Sequence, residues 1–108
     1  MESDRRVELL FFLDKERENK LFFSYLYSED FSFIEEFVIL FLTKTDEGFK
    51  EVVKYDFSKR EKPQVHYFYK KHPRKVYLDV PVTLETIFEL KDGLVVNWHK
   101  HLLKFRDD

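Results

Sequence analysis

The chain has 108 residues and a formal net charge of −2, a size that suits one domain, residues 1–108, with a single core. It contains no cysteine, which excludes disulfide bonds, thiolate metal sites and cysteine nucleophiles. Its apolar runs are too short to cross a bilayer and its first residues lack a signal-peptide pattern, so we expect a cytoplasmic protein.

Apolar patterns predict six short strands, at 6–13, 20–27, 36–44, 49–57, 63–70 and 75–80. The run FVILFL within the third segment favours a central strand that is buried on both faces. A hairpin turn is predicted at Thr45-Asp46-Glu47-Gly48, with glycine where a positive φ is needed. The fourth segment alternates, which predicts that Phe49, Glu51, Val53, Tyr55 and Phe57 share one face. Three hairpins in sequence predict an antiparallel meander.

A C-terminal helix follows the strands. Thr83 is a suitable N-cap, and Glu85 lies in the first turn. Apolar residues then recur at helical spacing up to Phe105. Asp92-Gly93 interrupts the pattern, which leaves a kink, a gap between two helices or a hairpin turn as alternatives. We favour helix because residues 97–106 keep a helical pattern. The prediction is an α+β fold: an antiparallel meander of about six strands with the helix packed on one face.

The most distinctive segment is KYDFSKREKPQVHYFYKKHPRK, residues 54–75, hereafter the basic segment. Residues 1–57 contain eight Lys or Arg and fourteen Asp or Glu. Residues 58–106 contain eleven Lys or Arg and only five Asp or Glu, so the positive charge is concentrated in the second half of the chain. Basic side chains among aromatic rings are suited to phosphates and stacked bases. The alternative is that the lysines protect an exposed sheet edge from aggregation while the rings pack in the core. The candidate nucleic-acid-binding residues are Lys59, Arg60, Lys62, Lys71, Arg74 and Lys75.

Acid–base chemistry is a second hypothesis for the same segment. Alternation along a strand predicts Gln64, His66, Phe68 and Lys70 on one face, opposite Tyr67 and Tyr69. Metal-independent RNA cleavage needs a base, an acid and cations for the phosphorane. Asp56 would orient His66 if the strand that contains His66 pairs antiparallel with the strand that ends near Asp56. The alternative is that Asp56 is a turn residue whose side chain bonds to the local backbone. The candidate catalytic residues are His66, Asp56, Tyr69 and Lys70.

Neither a metal nor a cofactor is predicted. His99 and His101 would share a face on a strand, but on a helix they point about 200° apart. Because a helix is favoured there, we expect no metal site. The only glycines are Gly48 and Gly93, so no glycine-rich phosphate loop is present. The high share of charged residues, 37%, is typical of thermophile proteins.

The chain resembles small archaeal and bacterial proteins of the TumE type, which are toxin components of two-gene toxin–antitoxin loci. The resemblance rests on Tyr55-Asp56, on His66 in a following strand and on Asn97-Trp98 in the C-terminal helix. It covers residues 36–106. The chain departs from the family pattern because Phe68 occupies the position of a second histidine. The resemblance implies an antitoxin from an adjacent gene and an RNA-directed activity.

We therefore expect a toxin-like protein that binds or cleaves RNA through the basic segment. Two alternatives do not involve catalysis. In one, the protein is a homodimer whose aromatic sheet face packs on itself, because one helix covers few of so many rings. In the other, it is a viral or mobile-element protein that inhibits a host complex through the acidic residues 1–57.

Overall fold

The computed structural model describes residues 2–107, which form one antiparallel sheet with a long helix packed against it. The elements are α1 (Glu2–Arg5), β1 (Arg6–Phe12), β2 (Asn19–Tyr27), β3 (Ile34–Thr45), β4 (Gly48–Ser58), β5 (Glu61–Tyr67), β6 (Arg74–Tyr77) and α2 (Leu84–Asp107). Each strand pairs with the next in sequence, which gives the order β1 to β6 across the sheet. The predicted α+β meander is confirmed, whereas the four-residue α1 was not predicted. No helix in the described part of the chain is long and apolar enough to span a membrane.

Helix α2 packs across one side of the sheet, hereafter the helix face. Its buried residues Ile87, Leu94, Trp98 and Leu102 recur at intervals of seven or four, which places them on one side of a helix. The Trp98 ring meets the Phe41 ring of β3 edge-on, with centroids 6.0 Å apart. The core therefore lies between α2 and the middle strands of the sheet.

The helix is continuous through Asp92-Gly93, so the structure contains neither a gap nor a hairpin turn there. Thr83 caps its first turn, because its Oγ1 accepts a hydrogen bond from the Thr86 backbone N–H at 3.2 Å. Lys104 and Arg106 lie in the last turn, where the negative end of the helix dipole favours cations. The preference for helix in this region is confirmed.

The other side of the sheet, hereafter the open face, has no helix over it. In β3, Phe37, Ile39 and Phe41 are buried on the helix face, whereas Val38 and the alternate residues after it are partly exposed. The prediction that this strand is buried on both faces is therefore wrong. Its continuous apolar run reflects one packed face and one apolar face without a second layer.

A β-bulge in β4 decides which of its side chains belong to each face. The pairing with β3 shifts between Phe41 and Leu42, so that Glu51 pairs with Leu42 and Val53 pairs with Phe41. Val52 is the extra residue, and both it and Val53 are fully buried. The prediction that Glu51 and Val53 share a face is therefore wrong, because the bulge reverses the alternation between them.

The turns and strand ends differ modestly from the sequence predictions. Gly48 has a φ of 102°, as the predicted hairpin turn requires. Strand β5 ends at Tyr67 and β6 at Tyr77, earlier than the predicted ends at residues 70 and 80. The chain still pairs beyond β5, because the Phe68 N–H donates to the Val52 carbonyl at 3.0 Å.

Candidate nucleic-acid interface

A row of basic side chains crosses the open face from β4 to β6. Lys54 pairs with His66, and His66 pairs with Lys75 on its other side. Paired residues in an antiparallel sheet have side chains on the same face, about 5 Å apart at Cβ. The row places one imidazole between two ammonium groups. Sequence alternation predicted the His66 face correctly, while Lys54 reaches it because of the bulge.

Asp56 lies in the neighbouring row and does not contact His66. Its strand partner is Gln64, and its carboxylate oxygen Oδ2 lies 3.9 Å from the Lys54 Nζ. No hydrogen bond links Asp56 to His66 among the described residues. The carboxylate thus offsets the charge of Lys54, and the arrangement does not support the predicted role of Asp56 in orienting the imidazole.

Aromatic rings lie on both sides of this basic row, Phe68 on one side and Tyr77 on the other. The His66 and Phe68 rings lie side by side, with centroids 4.8 Å apart and planes 30° apart. On the other side of the row the Tyr77 ring is 57% exposed, and the Lys75 Nζ lies 5.2 Å from its centre. The open face therefore presents accessible ring surface next to cations.

Two shallow clefts adjoin Tyr77. One has a volume of about 410 Å³ and is lined by Arg60, Glu61, Lys62 and Tyr77. The other has a volume of about 500 Å³ and shares Lys62 and Tyr77 with it. Arg60 and Lys62 form no salt bridge with any described residue, whereas Lys75 lies 3.7 Å from a Glu61 carboxylate oxygen. Among the basic side chains of this surface, Arg60 and Lys62 are therefore the two without a described carboxylate partner, although Arg60 also lines a cleft with Glu35 and Glu36.

The remaining predicted binding residues do not join this surface. The Lys59 Nζ lies 3.2 Å from a carboxylate oxygen of Glu35, in a cleft that also contains Glu36. Lys71 is exposed in the connection between β5 and β6, next to the candidate catalytic residue Lys70. Arg74 lies on the helix face, where its guanidinium carbon is 4.9 Å from the Tyr67 ring centre.

Tyr69 is also on the helix face, so the sheet separates it from His66. Its hydroxyl lies 2.6 Å from Nδ1 of His101 on α2. Burial lowers the pKa of His101, and the neighbouring Lys104 and Lys100 lower it further. Burial raises the pKa of Tyr69 to about 12. At neutral pH both groups are therefore neutral, and the tautomer of the imidazole decides which of the two donates the hydrogen.

Tyr55 and Tyr67 extend this cluster under the helix. Burial, together with the hydrogen-bonded Tyr67, raises the pKa of Tyr55 to about 12. The Tyr67 ring also lies parallel to His101, with centroids 6.2 Å apart. Sequence reasoning considered His101 only as a metal ligand and missed its contact with Tyr69. Its position three residues after Trp98, on the packed side of the helix, is the signal that predicts burial.

No protein-family model, curated protein or solved structure matches the chain. Evidence about function therefore comes from the two surfaces themselves. Of the four candidate catalytic residues, His66 and Asp56 lie on the open face, Tyr69 lies on the helix face, and Lys70 is exposed beyond the end of β5. The geometry of the open face is better suited to binding than to acid–base catalysis, because His66 is the only described imidazole in its basic row.

Proposed function

We propose that this protein binds single-stranded RNA on the basic half of its open face, defined by Lys54, Arg60, Lys62, His66, Lys75 and Tyr77. The observation that carries the proposal is the exposed Tyr77 ring, which stands between clefts lined by Arg60 and Lys62. Cations attract backbone phosphates, and an exposed ring stacks on a base of any sequence.

Single-stranded RNA is favoured over duplex because the rings belong to a sheet surface. Unpaired bases can turn outward and stack on aromatic side chains, whereas duplex RNA is recognised mainly by shape and backbone contacts. His66 and Phe68 offer a second ring surface, on the side of the basic row opposite Tyr77. A strand that follows this row would meet cations and rings in turn.

The proposal agrees with the resemblance to TumE-type toxins. As such a toxin, the protein would inhibit growth by acting on RNA, and the product of an adjacent gene would relieve the inhibition. Binding alone is sufficient for the proposed function. If RNA is also cleaved, His66 is the base that the open face offers, with Lys54 and Lys75 beside the developing phosphorane charge.

The test is a comparison of two triple variants that remove the same charge. The first changes Arg60, Lys62 and Lys75 to Gln, and the control changes Lys15, Lys50 and Lys100, which are exposed outside the basic segment. Each phosphate contact to a single strand contributes about 0.7 to the slope of log K against log salt. The first variant should therefore lose a slope of up to about 2, measured by fluorescence anisotropy with a labelled oligoribonucleotide. Equal losses in both variants would show that only overall charge matters.

Self-association is a second candidate function, and strand β1 favours it. This edge strand exposes apolar side chains on both faces, with Leu9 at 52% and Leu10 at 58%. An edge strand of this kind is a template for pairing with another strand. Two copies would pair their β1 strands antiparallel and extend the sheet. Light scattering after size-exclusion chromatography tests this, and a monomer at all concentrations would exclude it.

A further inference from the structure

A basic cleft lies on the helix side of the sheet, away from the proposed RNA surface. It has a volume of about 190 Å³ and is lined by Tyr69, His72, Arg74 and Lys104. Three elements form it: the segment after β5, the start of β6 and the last turns of α2. Because residues 101 and 104 are three apart on a helix, His101 and Lys104 project on the same side, toward Tyr69.

The two cations of this cleft lie next to tyrosine rings. The Arg74 guanidinium carbon lies 4.9 Å from the Tyr67 ring centre, and the Lys104 Nζ lies 5.8 Å from the Tyr69 ring centre. The two rings are 5.1 Å apart. Neither cation forms a salt bridge with any side chain that the structure describes. The cleft thus brings two positive charges together, and no carboxylate is among the residues that line it.

The other residues of the cleft are hydrogen-bond donors or are already paired. The Tyr69 hydroxyl is directed at His101 Nδ1, which fixes the imidazole next to the cleft. Burial is the main cause of the lowered pKa of His101, and the nearby positive charges of Lys104 and Lys100 lower it further. A guanidinium, an ammonium and an imidazole around a small cleft are the groups that proteins use for phosphate.

We propose that this cleft binds a phosphate group through Arg74 and Lys104, with His72 at its rim. Phosphate is favoured over a carboxylate because it carries more charge and more acceptor oxygens for two cations from different elements. The ligand is either free phosphate or a phosphate group of an RNA strand. The site is separate from the open face, so it does not depend on the function proposed above.

The test is a titration of the protein with inorganic phosphate, with chloride adjusted to constant ionic strength. The ring resonances of His72 and His101 are followed by NMR. In the wild-type chain both sets should shift and saturate, and the pKa of His101 should rise when the anion is bound. A shift that never saturates, or that chloride alone reproduces, would overturn the proposal.

Two variants distinguish specific phosphate binding in the cleft from nonspecific attraction of the anion to a positively charged surface. Arg74→Gln combined with Lys104→Gln should weaken phosphate binding by about tenfold or more, the effect expected for charge-assisted hydrogen bonds. Lys100→Gln removes a charge from the same helix without changing the lining of the cleft, so it should change the affinity less than about threefold. Equal weakening by both changes would overturn the proposal. Trp98 fluorescence verifies that each variant is folded.

Two further experiments test whether this site is distinct from the RNA surface and identify the molecule that supplies the phosphate group. The Arg60, Lys62 and Lys75 triple variant should retain phosphate binding, because none of these residues lines the cleft. Displacement of phosphate by a 5′-phosphorylated oligoribonucleotide, but not by its 5′-hydroxyl form, supports a terminal phosphate of RNA as the ligand. Displacement by neither oligonucleotide supports free phosphate. If the triple variant abolishes phosphate binding, the cleft is not the site.

Discussion

The contact between Tyr69 and His101 provides a quantitative test of how α2 is attached to the sheet. Tyr69 is buried, and its hydroxyl lies 2.6 Å from the imidazole Nδ1. A hydrogen bond between neutral groups contributes about 1 kcal/mol net, and a buried group left without its partner costs about 1–3 kcal/mol. We therefore expect Tyr69→Phe to lower the free energy of unfolding by about 1–3 kcal/mol.

The pH dependence of stability provides an independent check on the same pair. Burial lowers the pKa of His101 below its ordinary value of 6.5, so the unfolded chain binds the proton more readily than the folded chain. The free energy of unfolding should consequently decrease as the pH falls from 6.5 toward the folded pKa. Above 6.5 His101 is neutral in both states and should contribute no slope. His101→Gln should remove this dependence.

The assay is urea unfolding followed by the fluorescence of Trp98, the single tryptophan of the chain. A double-mutant cycle with Tyr69→Phe and His101→Gln should give a coupling energy of about 1 kcal/mol. Tyr77→Phe is the matched control, because it removes an exposed hydroxyl that has no hydrogen bond to the described residues. Zero coupling, or a pH dependence that survives His101→Gln, would refute the reasoning.

Three further predictions concern the open face and the backbone. Tyr77→Ala should weaken the binding of single-stranded RNA by about 1–3 kcal/mol, the contribution of one stacked base, without changing the salt dependence. Tyr77→Trp keeps an aromatic ring and should still bind the RNA. Fluorescence anisotropy titrations measure both affinities. If β1 pairs between two copies, Leu9→Lys together with Leu10→Lys should give a monomer in light scattering, while an unchanged mass would exclude that interface. Gly48→Ala should destabilise the fold by about 1 kcal/mol because φ is positive there, whereas Gly93→Ala, within a helix, should stabilise it by about 0.5–1 kcal/mol. Urea unfolding should therefore give changes of opposite sign in the free energy of unfolding, and changes of the same sign would contradict the prediction.

Periodicity was sufficient to predict the six-strand meander and the C-terminal helix. Because the connections between strands are short, pairing of each strand with the next in sequence was the simplest arrangement. The helical spacing of apolar residues around Trp98 favoured a helix despite the interruption at Asp92-Gly93. The same reasoning failed for burial in β3. A run of apolar residues does not show whether a second layer covers the strand, because that depends on how much of the sheet one helix can reach.

The candidate site was predicted only in part. Alternation placed His66 and Phe68 together and separated them from Tyr69, as the structure has it. The proposed link between Asp56 and His66 did not appear, because the pairing register gives Asp56 the neighbouring row. Contacts between β5 and α2 join residues more than thirty positions apart, so local patterns did not predict the His101 contact.

The bulge at Val52 makes the pairing of β4, and not only its residues, a determinant of the open face. Because Val52 is the extra residue, Glu51 and Lys54 lie on the same face although they are three positions apart. A strand of unchanged length that lost the bulge would exchange the two faces along its first half or its second. Either Lys54 or Phe49 would then turn toward the helix. Deletion of Val52, in contrast, would keep Glu51 opposite Leu42 and Val53 opposite Phe41, so the basic row would retain Lys54.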